Sequence, residues 1–359
     1  MPNPRTLLLT NEPTPGAAIG QINGYELLVQ SGEIESCRAV SVKESFDSTP
    51  AFDRVLDAVK RNDYDIIVIW TPGLFPSNEV QFAEIIEAIK GRPILYWEGD
   101  PWGKVGDKKP VTKQMSWWMS HSKTVFSTAK QPHFSIFKGL GASSVMHIPH
   151  TYCHIKFATE EKNPPTLNDS DEQVDFSIIA SNTARIPGLT GSPGAIRRWE
   201  LVTRLRLDAA YSHRIYGSNW PKNWSEGKIA YESQGQVIRR SKVNLNWDNF
   251  DKYEDYSSDR LPIALLAGRP HVTTKHPGML WLPGEAIGIF QEKFPKSVLN
   301  RGKELLEIDP QIRLKLGLEA HNWVKFRLSH RESARYIMSS YYEHIKKPPA
   351  DPWGELPSL

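Results

Sequence analysis

The stretch SSDRLPIALLAGRPHVTT, residues 257–274, decides the fold. Its polar start is followed by an apolar run of helical length, which predicts a helix at 261–267 with Asp259 as a plausible N-cap. Gly268 is suited to end that helix, because glycine readily adopts the left-handed conformation found after a helix. The β-rich run at 271–274 predicts a strand. Helix, glycine and strand in this order are typical of a parallel α/β sheet.

The same alternation extends in both directions from this stretch. Short apolar runs, typical of buried strands, alternate with amphipathic segments, typical of helices. In the first half we predict strands at 5–10, 65–70, 93–97, 124–127 and 144–148, and helices at 24–30, 52–61, 80–90, 112–121 and 131–138. In the second half we predict strands at 174–180, 213–216, 243–247 and 286–290, helices at 195–207 and 234–240, and a largely helical segment at 296–346.

A polar segment divides the chain into two α/β halves. Its sequence, ATEEKNPPTLNDSDEQ, carries Pro164 and Pro165 and is typical of an exposed linker. Two such domains create a cleft, and ligands bind at the carboxyl ends of parallel strands. We predict a first domain at 1–157, a linker at 158–173, a second domain at 174–330 and a helical tail at 331–359 that packs back on the first domain.

Composition restricts the class of protein. The 359 residues carry a net charge of only +3, which disfavours a protein that coats DNA by charge alone. The two cysteines, Cys37 and Cys153, form neither a CxxC pair nor a disulfide framework. The N-terminal apolar run is too short for a signal peptide, and no run approaches the roughly 20 apolar residues of a membrane span. We therefore expect a soluble, cytoplasmic protein.

Several common enzyme motifs are missing from the sequence. No GxGxxG follows the first strand, so a dinucleotide oxidoreductase is disfavoured. There is no Walker A sequence, no HExxH and no GxSxG, which argues against a P-loop NTPase, a zinc metalloprotease and an α/β-hydrolase. The sequence also shows no cluster of metal ligands, and we expect no metal and no cofactor.

Two features of the second half suit a phosphate group. Arg260 stands at the start of the predicted helix 261–267, where free N–H groups and the helix dipole attract anions. A guanidinium there can bind phosphate through two parallel hydrogen bonds. The tight turn His276–Met279 follows a strand, and its backbone N–H groups are candidates for holding a diphosphate. An ordinary capped helix in a βα unit remains the alternative.

These residues resemble the donor-binding half of GT-B glycosyltransferases, in particular the bacterial CgeB-like, group-1-type family. That family shows the pattern S-x-R-x-x-E-x-x-x-x-G, then a strand and a Pro-Gly turn. The resemblance covers roughly residues 174–330 and extends to the segments 175–181, 197–200 and 215–220. It implies a GT-B fold of two Rossmann-like domains facing each other across a cleft. The matching residues are Ser258, Arg260, Gly268, Pro277 and Gly278.

One position departs from the family pattern. The family places a glutamate three residues after the arginine, where it accepts the ribose hydroxyls, and this chain has Ile263 there. Either another acid such as Glu285 takes this role, or the nucleotide preference differs, or the donor site has decayed. The stereochemistry of transfer is left open for the same reason.

The resemblance implies roles for residues in both halves. In the first half, Asp100 ends a strand and is suited to act as general base on an acceptor hydroxyl, or simply to cap a loop. His150 is a second catalytic candidate, facing the donor sugar, or a structural hydrogen-bonding residue. The implied donor-binding residues are Arg185, Tyr216, Gly217, Ser258, Asp259, Arg260, His276, Pro277, Gly278 and Met279, and the acceptor-side residues are Gly16, Trp102 and Lys104.

The function implied is metal-independent transfer of a hexose or pentose from a nucleotide-diphosphate sugar to an acceptor hydroxyl. The acceptor is a saccharide, a polymer, a natural product or a modified nucleic acid. Lysines beside Trp102 favour an anionic acceptor, such as a phosphorylated glycan or nucleic acid, although a solvated lysine loop is the simpler interpretation. Two alternatives remain: a non-catalytic GT-B-fold protein that binds sugar or nucleic acid, and a nucleotide-sugar 2-epimerase.

Overall fold

The structure is a computed structural model that describes residues 3–11, 19–99, 111–166, 172–184 and 192–343. The chain divides into two compact units. Among the described residues, unit 1 takes in those up to 149 and those from 330 onward, whereas unit 2 consists of those between 150 and 329. In this described part of the chain, no helix is both long enough and apolar enough to cross a membrane.

Unit 1 is built on a parallel sheet of six strands in the order β2-β1-β3-β4-β5-β6. Its strands are almost entirely buried, which explains why most of them are continuous apolar runs. The strands are β1 (Arg5–Thr10), β2 (Ser36–Ser41), β3 (Ile66–Trp70), β4 (Ile94–Glu98), β5 (Thr124–Ser127) and β6 (Val145–His147).

Six helices belong to unit 1, and the last of them comes from the C-terminal end of the described chain. That helix packs closely on the first one at Gly24, where an added Cβ would lie 2.9 Å from the His330 carbonyl oxygen. The helices are α1 (Ile19–Gln30), α2 (Ala51–Lys60), α3 (Glu79–Ile89), α4 (Lys113–His121), α5 (His133–Gly139) and α12 (His330–Glu343).

Strand β2 was not predicted from the sequence. Its sequence, SCRAVS, has no apolar run, and most of its residues are only half-buried. It lies at the edge of the sheet and pairs with β1 alone, from Arg5 opposite Ser36 to Thr10 opposite Ser41. An edge strand needs little apolar surface, so hydrophobic patterning does not reveal it.

Unit 2 contains a five-stranded parallel sheet in the order β11-β10-β9-β7-β8. The first element of this unit, α6, is a short helix at the start of the segment predicted as a linker, and it buries Glu160. The strands are β7 (Val174–Ile179), β8 (His213–Tyr216), β9 (Ser241–Leu245), β10 (His271–Thr274) and β11 (Ile289–Glu292). The helices are α6 (Ala158–Lys162), α7 (Pro193–Leu207), α8 (Gln234–Arg239), α9 (Arg260–Ala267), α10 (Pro295–Glu307) and α11 (Pro310–Lys325).

The strand β11 begins later than the predicted strand at 286–290. Residues 284–287 form a 3-10 turn instead, and Gly288 ends it with φ = 68°. A glycine adopts this left-handed backbone without steric cost, so the turn closes before the strand starts.

The strand order fixes where a ligand can bind in each unit. In unit 2 the chain passes from β7 to β8 on one side and from β9 to β10 on the other. The connections therefore diverge between β7 and β9, which opens a crevice at their carboxyl ends. In unit 1 the same divergence occurs between β1 and β3.

Candidate functional site

Two arginines lie at the crevice between β7 and β9. Arg198, on α7, donates from Nε to the Trp247 carbonyl oxygen at 2.7 Å and from Nη1 to the Ser181 carbonyl oxygen at 3.2 Å. It thereby joins the loops that follow both strands. Arg260, the first residue of α9, donates from Nε to the Ile179 carbonyl oxygen at 2.6 Å. Two guanidinium groups therefore lie at the edge where the topology predicts a ligand.

The electrostatics of this pair favour an anion. Arg198 is buried, with only 3% of its surface exposed. Burial, followed by the repulsion of Arg260, lowers the pKa of Arg198 to about 10, and the charge of Asp248 partly opposes this effect. A bound phosphate would offset the repulsion between the two guanidinium groups.

Asp248 is the buried acid of the same edge. Its backbone N–H donates to Thr274 Oγ1 at 2.8 Å, and its carboxylate accepts from Asn246 Nδ2 at 3.0 Å and lies 3.1 Å from His276 Nε2. Burial acts to raise the pKa of Asp248. The hydrogen bond and charge of His276, with side-chain bonds from Asn246 and Ser258, outweigh burial and hold that pKa well below its usual range.

Two predicted histidines pack against one tyrosine that was not predicted. The ring of Tyr256 lies edge-on to His276, with centroids 5.5 Å apart, and edge-on to His150, with centroids 6.0 Å apart. The structure therefore brings the catalytic candidate His150 and the donor-site candidate His276 to one aromatic group of unit 2.

The turn at 276–279 differs from the predicted phosphate cradle. Its Met279 N–H already donates to the carboxylate of Asp255, and the Asp255 N–H donates to the Pro277 carbonyl oxygen at 2.9 Å. Gly278 has φ = 76°, and an added Cβ would lie 2.6 Å from Asp255 Oδ1. The turn is held from within by Asp255, so the Met279 amide is not open to a diphosphate.

The start of α9 agrees with the prediction in position but not in capping. Asp259 occupies the N-cap position without a side-chain cap hydrogen bond, and its carboxylate lies 3.7 Å from Arg260 Nη1. Gly268 ends the helix with φ = 71°, as predicted.

Ile263, which stands where the family has its glutamate, is fully buried. Glu285, the suggested replacement acid, is exposed and precedes β11, so it lies at the opposite edge of the sheet.

The loop after β8 is tied to the loop after β7. Gly217 has φ = 135°, and an added Cβ would lie 2.2 Å from the Ala180 carbonyl oxygen. The same carbonyl accepts from Trp220 Nε1 at 2.7 Å, and the Ser218 N–H donates to Ser181 Oγ at 3.1 Å. Half-buried Tyr216 precedes this junction. The glycine is therefore required for the close approach that supports the crevice.

Unpartnered polar atoms gather at the same edge. Among the residues that the structure describes, four buried side-chain atoms of these loops have no hydrogen-bond partner. Each such atom costs about 1–3 kcal/mol unless a ligand or water satisfies it. A polar ligand or water at this edge could satisfy these atoms. The atoms are Asn246 Oδ1, Trp247 Nε1, Ser257 Oγ and His276 Nδ1.

The corresponding edge of unit 1 has a different character. Trp70, the last residue of β3, pairs with Trp97 of β4, and their ring centroids are 5.8 Å apart. Glu98 is buried and accepts a hydrogen bond from the Tyr96 hydroxyl at 2.6 Å. Burial, followed by the charge of Glu98, raises the pKa of Tyr96 well above its ordinary value. This edge is therefore built mainly from buried aromatic rings and a buried carboxylate.

Several predicted residues lie outside the described residues, so their roles stay predictions. The described residues also contain no group of three or more His, Cys, Asp or Glu side chains that could hold a metal ion, and metal independence stays a prediction. The predicted residues concerned are Asp100, Gly16, Trp102, Lys104 and Arg185.

Three residues of the site were not predicted from the sequence, although the sequence pattern around two of them indicates a role. Arg198 falls on the apolar face of α7, in phase with Ala195, Leu201 and Val202, and an arginine on such a face needs buried partners. Asp248 follows a predicted strand, as Asp100 does. Tyr256 had no local signal, because only tertiary packing brings it to His150 and His276.

The sequence matches one family model, described as glycosyl transferase-like, over residues 197–339. Residues 197–339 are glycosyl transferase-like. The match begins in α7 beside Arg198 and includes Arg260 and His276, so it contains most of the crevice of unit 2. The glycosyltransferase resemblance is therefore confirmed, whereas the CgeB-like subtype stays a prediction. No curated protein matches the chain by sequence.

Solved structures show the same fold over nearly the whole chain. An α-glucosyltransferase in complex with UDP-glucose and abasic DNA has a TM-score of 0.64 at 12% identity, and the match covers 96% of this chain and 100% of that one. Anabaena HepE in complex with UDP-glucose has a TM-score of 0.58 at 12% identity, and the match covers 95% of this chain and 100% of that one. T4 phage BGT in complex with UDP-glucose has a TM-score of 0.54 at 12% identity, and the match covers 95% of this chain and 99% of that one.

These likenesses confirm the predicted fold class. The chain has the GT-B fold, with two Rossmann-like α/β units. The family match over residues 197–339 and the fold both agree with the predicted glycosyltransferase. At such low identity the neighbours' ligands do not transfer directly to this chain.

Proposed function

We propose that this chain transfers a sugar from a uridine-diphosphate sugar to a hydroxyl group, with the diphosphate held at the crevice of unit 2. The observation that carries the proposal is the pair Arg198 and Arg260 at the carboxyl ends of β7 and β9. Uridine diphosphate is the first nucleotide to test, because several solved structures of this fold contain it.

The chemistry follows from the charge of this edge. An acceptor hydroxyl attacks the anomeric carbon while the bond from that carbon to the diphosphate oxygen breaks. The electron pair remains on the diphosphate, and fixed positive charge lowers the energy of that transition state. Arg260 is the more available of the two arginines, because 28% of its side chain is exposed.

The acceptor is a second part of the proposal. Two of the similar structures are named as DNA-modifying or DNA-bound glucosyltransferases. Together with the lysine-rich segment predicted near Trp102, this favours an acceptor panel that contains modified duplex DNA, a phosphorylated glycan and a neutral oligosaccharide. Release of UDP in the presence of one acceptor would identify the class.

The donor site is tested by binding and by turnover. Saturating UDP, at about 100 times its dissociation constant, should stabilise the protein by about 2.7 kcal/mol in a thermal-shift assay. Arg260→Ala should weaken UDP binding about 10- to 100-fold, since a charge-assisted hydrogen bond contributes about 1.5–3 kcal/mol. Arg240→Ala, at an exposed arginine on the amino side of β9, is the matched control.

One observation favours a second candidate, a non-catalytic protein that binds sugar or nucleic acid. Ile263 stands where the family has its ribose-binding glutamate, and it is fully buried. If no nucleoside diphosphate or its sugar stabilises the protein while a glycan or DNA does, this candidate replaces the transferase.

A further inference from the structure

A separate cavity lies in unit 1, at the amino ends of β4, β5 and β6. Its volume is about 620 Å³, within the roughly 300–1,000 Å³ usual for a small-molecule site. The turns that precede the three strands line it, including Lys123 and Ser143, while α3 supplies Ile86 and Ile89 and α12 supplies Tyr341. The crevice between β1 and β3 lies at the carboxyl ends of the strands, so this cavity is at the opposite edge of the sheet.

The lining of the cavity is positively charged. Arg92 stands two residues before β4, and Lys123 immediately before β5. None of the described lining residues is acidic. The charge of Asp65 reaches Arg92, but its carboxylate already pairs with Arg5 at 2.9 Å. An anion in the cavity would therefore meet two positive charges and no lining carboxylate.

Both cations are held in place by neutral partners. Arg92 donates from Nη1 to the Ile89 carbonyl oxygen at 3.0 Å and from Nη2 to the side-chain oxygen of Asn62. The Lys123 ammonium lies 5.9 Å from the centroid of the Tyr341 ring. These contacts orient the side chains without neutralising them, so their charge remains available to an anion.

Hydrogen bonds between the turns give the cavity a fixed shape. The Lys123 N–H donates to the Ile94 carbonyl oxygen at 2.8 Å. The Ser143 hydroxyl donates to the Lys123 carbonyl oxygen at 3.2 Å, and the Ser122 hydroxyl donates to the Trp118 carbonyl oxygen at 2.7 Å. Because these hydroxyls serve the backbone, the cavity is formed before any ligand arrives.

The lining combines two kinds of surface. Ile86 and Ile89 provide apolar contact from α3, whereas Arg92 and Lys123 provide charge from the turns before the strands. Arginine and lysine are the side chains that proteins use most to bind phosphate groups. The combination suits a small molecule that carries a phosphate group on a carbon skeleton.

We propose that this cavity binds a small phosphate-bearing molecule, with Arg92 and Lys123 on the phosphate and Ile86 and Ile89 against the rest of the ligand. The site is independent of the proposed function, because its residues lie at the amino edge of the sheet in unit 1 and the diphosphate is assigned to unit 2. A free phosphate ion and a phosphate ester share the recognised group, and the experiment separates them.

The experiment titrates the full chain by calorimetry with glucose 6-phosphate, inorganic phosphate and glucose, each with UDP present in excess. Glucose 6-phosphate should bind at least 10-fold more tightly than glucose, since charge-assisted hydrogen bonds dominate the contact. Inorganic phosphate that binds as tightly as the ester supports a site for the ion, and weaker binding supports a site for the ester. Glucose that binds as tightly as its phosphate overturns the inference.

A charge reversal in the cavity tests the assigned contact. Lys123 is exposed, so Lys123→Glu should fold and should weaken glucose 6-phosphate binding about 10- to 100-fold. Lys138→Glu, at an exposed lysine of α5 that does not line the cavity, is the matched control and should stay within twofold of the wild type. Equal affinity of the Lys123 variant and the wild type overturns the inference.

A measurement on the unmodified protein locates the ligand. In protein with 13C-labelled isoleucine methyl groups, glucose 6-phosphate should shift the resonances of Ile86 and Ile89 and leave that of Ile178 in β7 unchanged. Unshifted Ile86 and Ile89 resonances, or binding that UDP abolishes by competition, overturn the inference. A protein that binds glucose 6-phosphate in this way but binds no nucleoside diphosphate overturns the proposed function and leaves this inference intact.

Discussion

The two units share a topology but differ in the chemistry of their carboxyl edges. Both are parallel sheets whose connections diverge beside the first strand, so both open a crevice at the same place. In unit 2 the crevice contains Arg198, Arg260 and the Asp248–His276 pair. In unit 1 the corresponding edge presents Trp70 and Trp97, close to the buried Tyr96–Glu98 pair.

This difference teaches that strand order fixes where a ligand binds, whereas side chains decide which ligand it is. Buried arginines suit an anionic diphosphate. The rings and the carboxylate of unit 1 are mostly buried and provide no comparable positive charge. The contrast predicts that substitutions at the carboxyl edge of the sheet in unit 2 change nucleotide affinity and stability together, whereas those at the corresponding edge of unit 1 leave nucleotide affinity unchanged.

The largest effect is expected for Arg198→Met. This change keeps the volume of the side chain but leaves the Trp247 and Ser181 carbonyl oxygens without their charged donor. We expect a loss of about 4 kcal/mol in the free energy of unfolding, together with weaker UDP binding. Urea denaturation and calorimetry measure the two quantities. Unchanged stability would show that the guanidinium does not hold the two loops together.

Gly217→Ala tests the backbone approach that supports the crevice. An added Cβ at φ = 135° would meet the Ala180 carbonyl oxygen at 2.2 Å. We expect a destabilisation of about 3 kcal/mol, visible in thermal unfolding. Gly227→Ala, also at positive φ but with nothing within 4 Å of its Cβ, is the control and should cost about 1 kcal/mol. Equal losses at the two positions would contradict the steric explanation.

Buried His271 predicts a specific acid sensitivity of unit 2. Burial lowers the pKa of His271 to about 4, and the ring lies 2.7 Å from Asn244 Oδ1. Because the unfolded state gains the proton first, stability is full above the ordinary pKa of about 6.5 and falls as pH drops toward 4. We expect a loss of about 2 kcal/mol between pH 7 and pH 5 from this residue.

The free energy of unfolding, measured in urea at both pH values, checks this expectation. His271→Gln removes the titrating group, so its own drop between pH 7 and pH 5 should be smaller by about the same 2 kcal/mol. A variant that loses as much stability as the wild type would assign the acid sensitivity to other groups.

The smallest effect is expected for Glu98→Gln in unit 1. The substitution keeps an acceptor for the Tyr96 hydroxyl, so we expect a stability loss of about 1 kcal/mol. UDP affinity should stay within about twofold of the wild type, because the diphosphate needs no charge from this edge. A tenfold loss of UDP affinity would break the proposed division of roles between the two edges.

Much of the fold was predictable because its signals are local. The strands 124–127, 213–216 and 271–274 match the structure residue for residue, and α9 with its terminal Gly268 begins one residue before the predicted start. Buried strands of parallel sheets are continuous apolar runs, which a sequence displays openly. The edge strand β2 was missed because it has no such run.

The candidate site was only partly predictable. Arg260 was identified from its place at a helix start, and the structure puts it in the crevice beside Arg198. The turn at 276–279 was predicted to bind through its backbone, but its Met279 N–H donates to Asp255 and its His276 side chain lies against Asp248. Local patterns predict where a loop forms, but they do not show which of its hydrogen-bonding groups already have a partner within the protein.

By itself, the sequence determined two α/β halves, a helix with an arginine at its start and a turn after the next strand. Only the tertiary structure decided that Arg198 meets Arg260, that Asp248 lies against His276 28 residues later, and that α12 packs on α1 in unit 1. The physical reason is that helices and strands depend on neighbouring residues, which the sequence lists in order. A binding site depends on strand order and helix docking, which bring together residues that the sequence keeps apart.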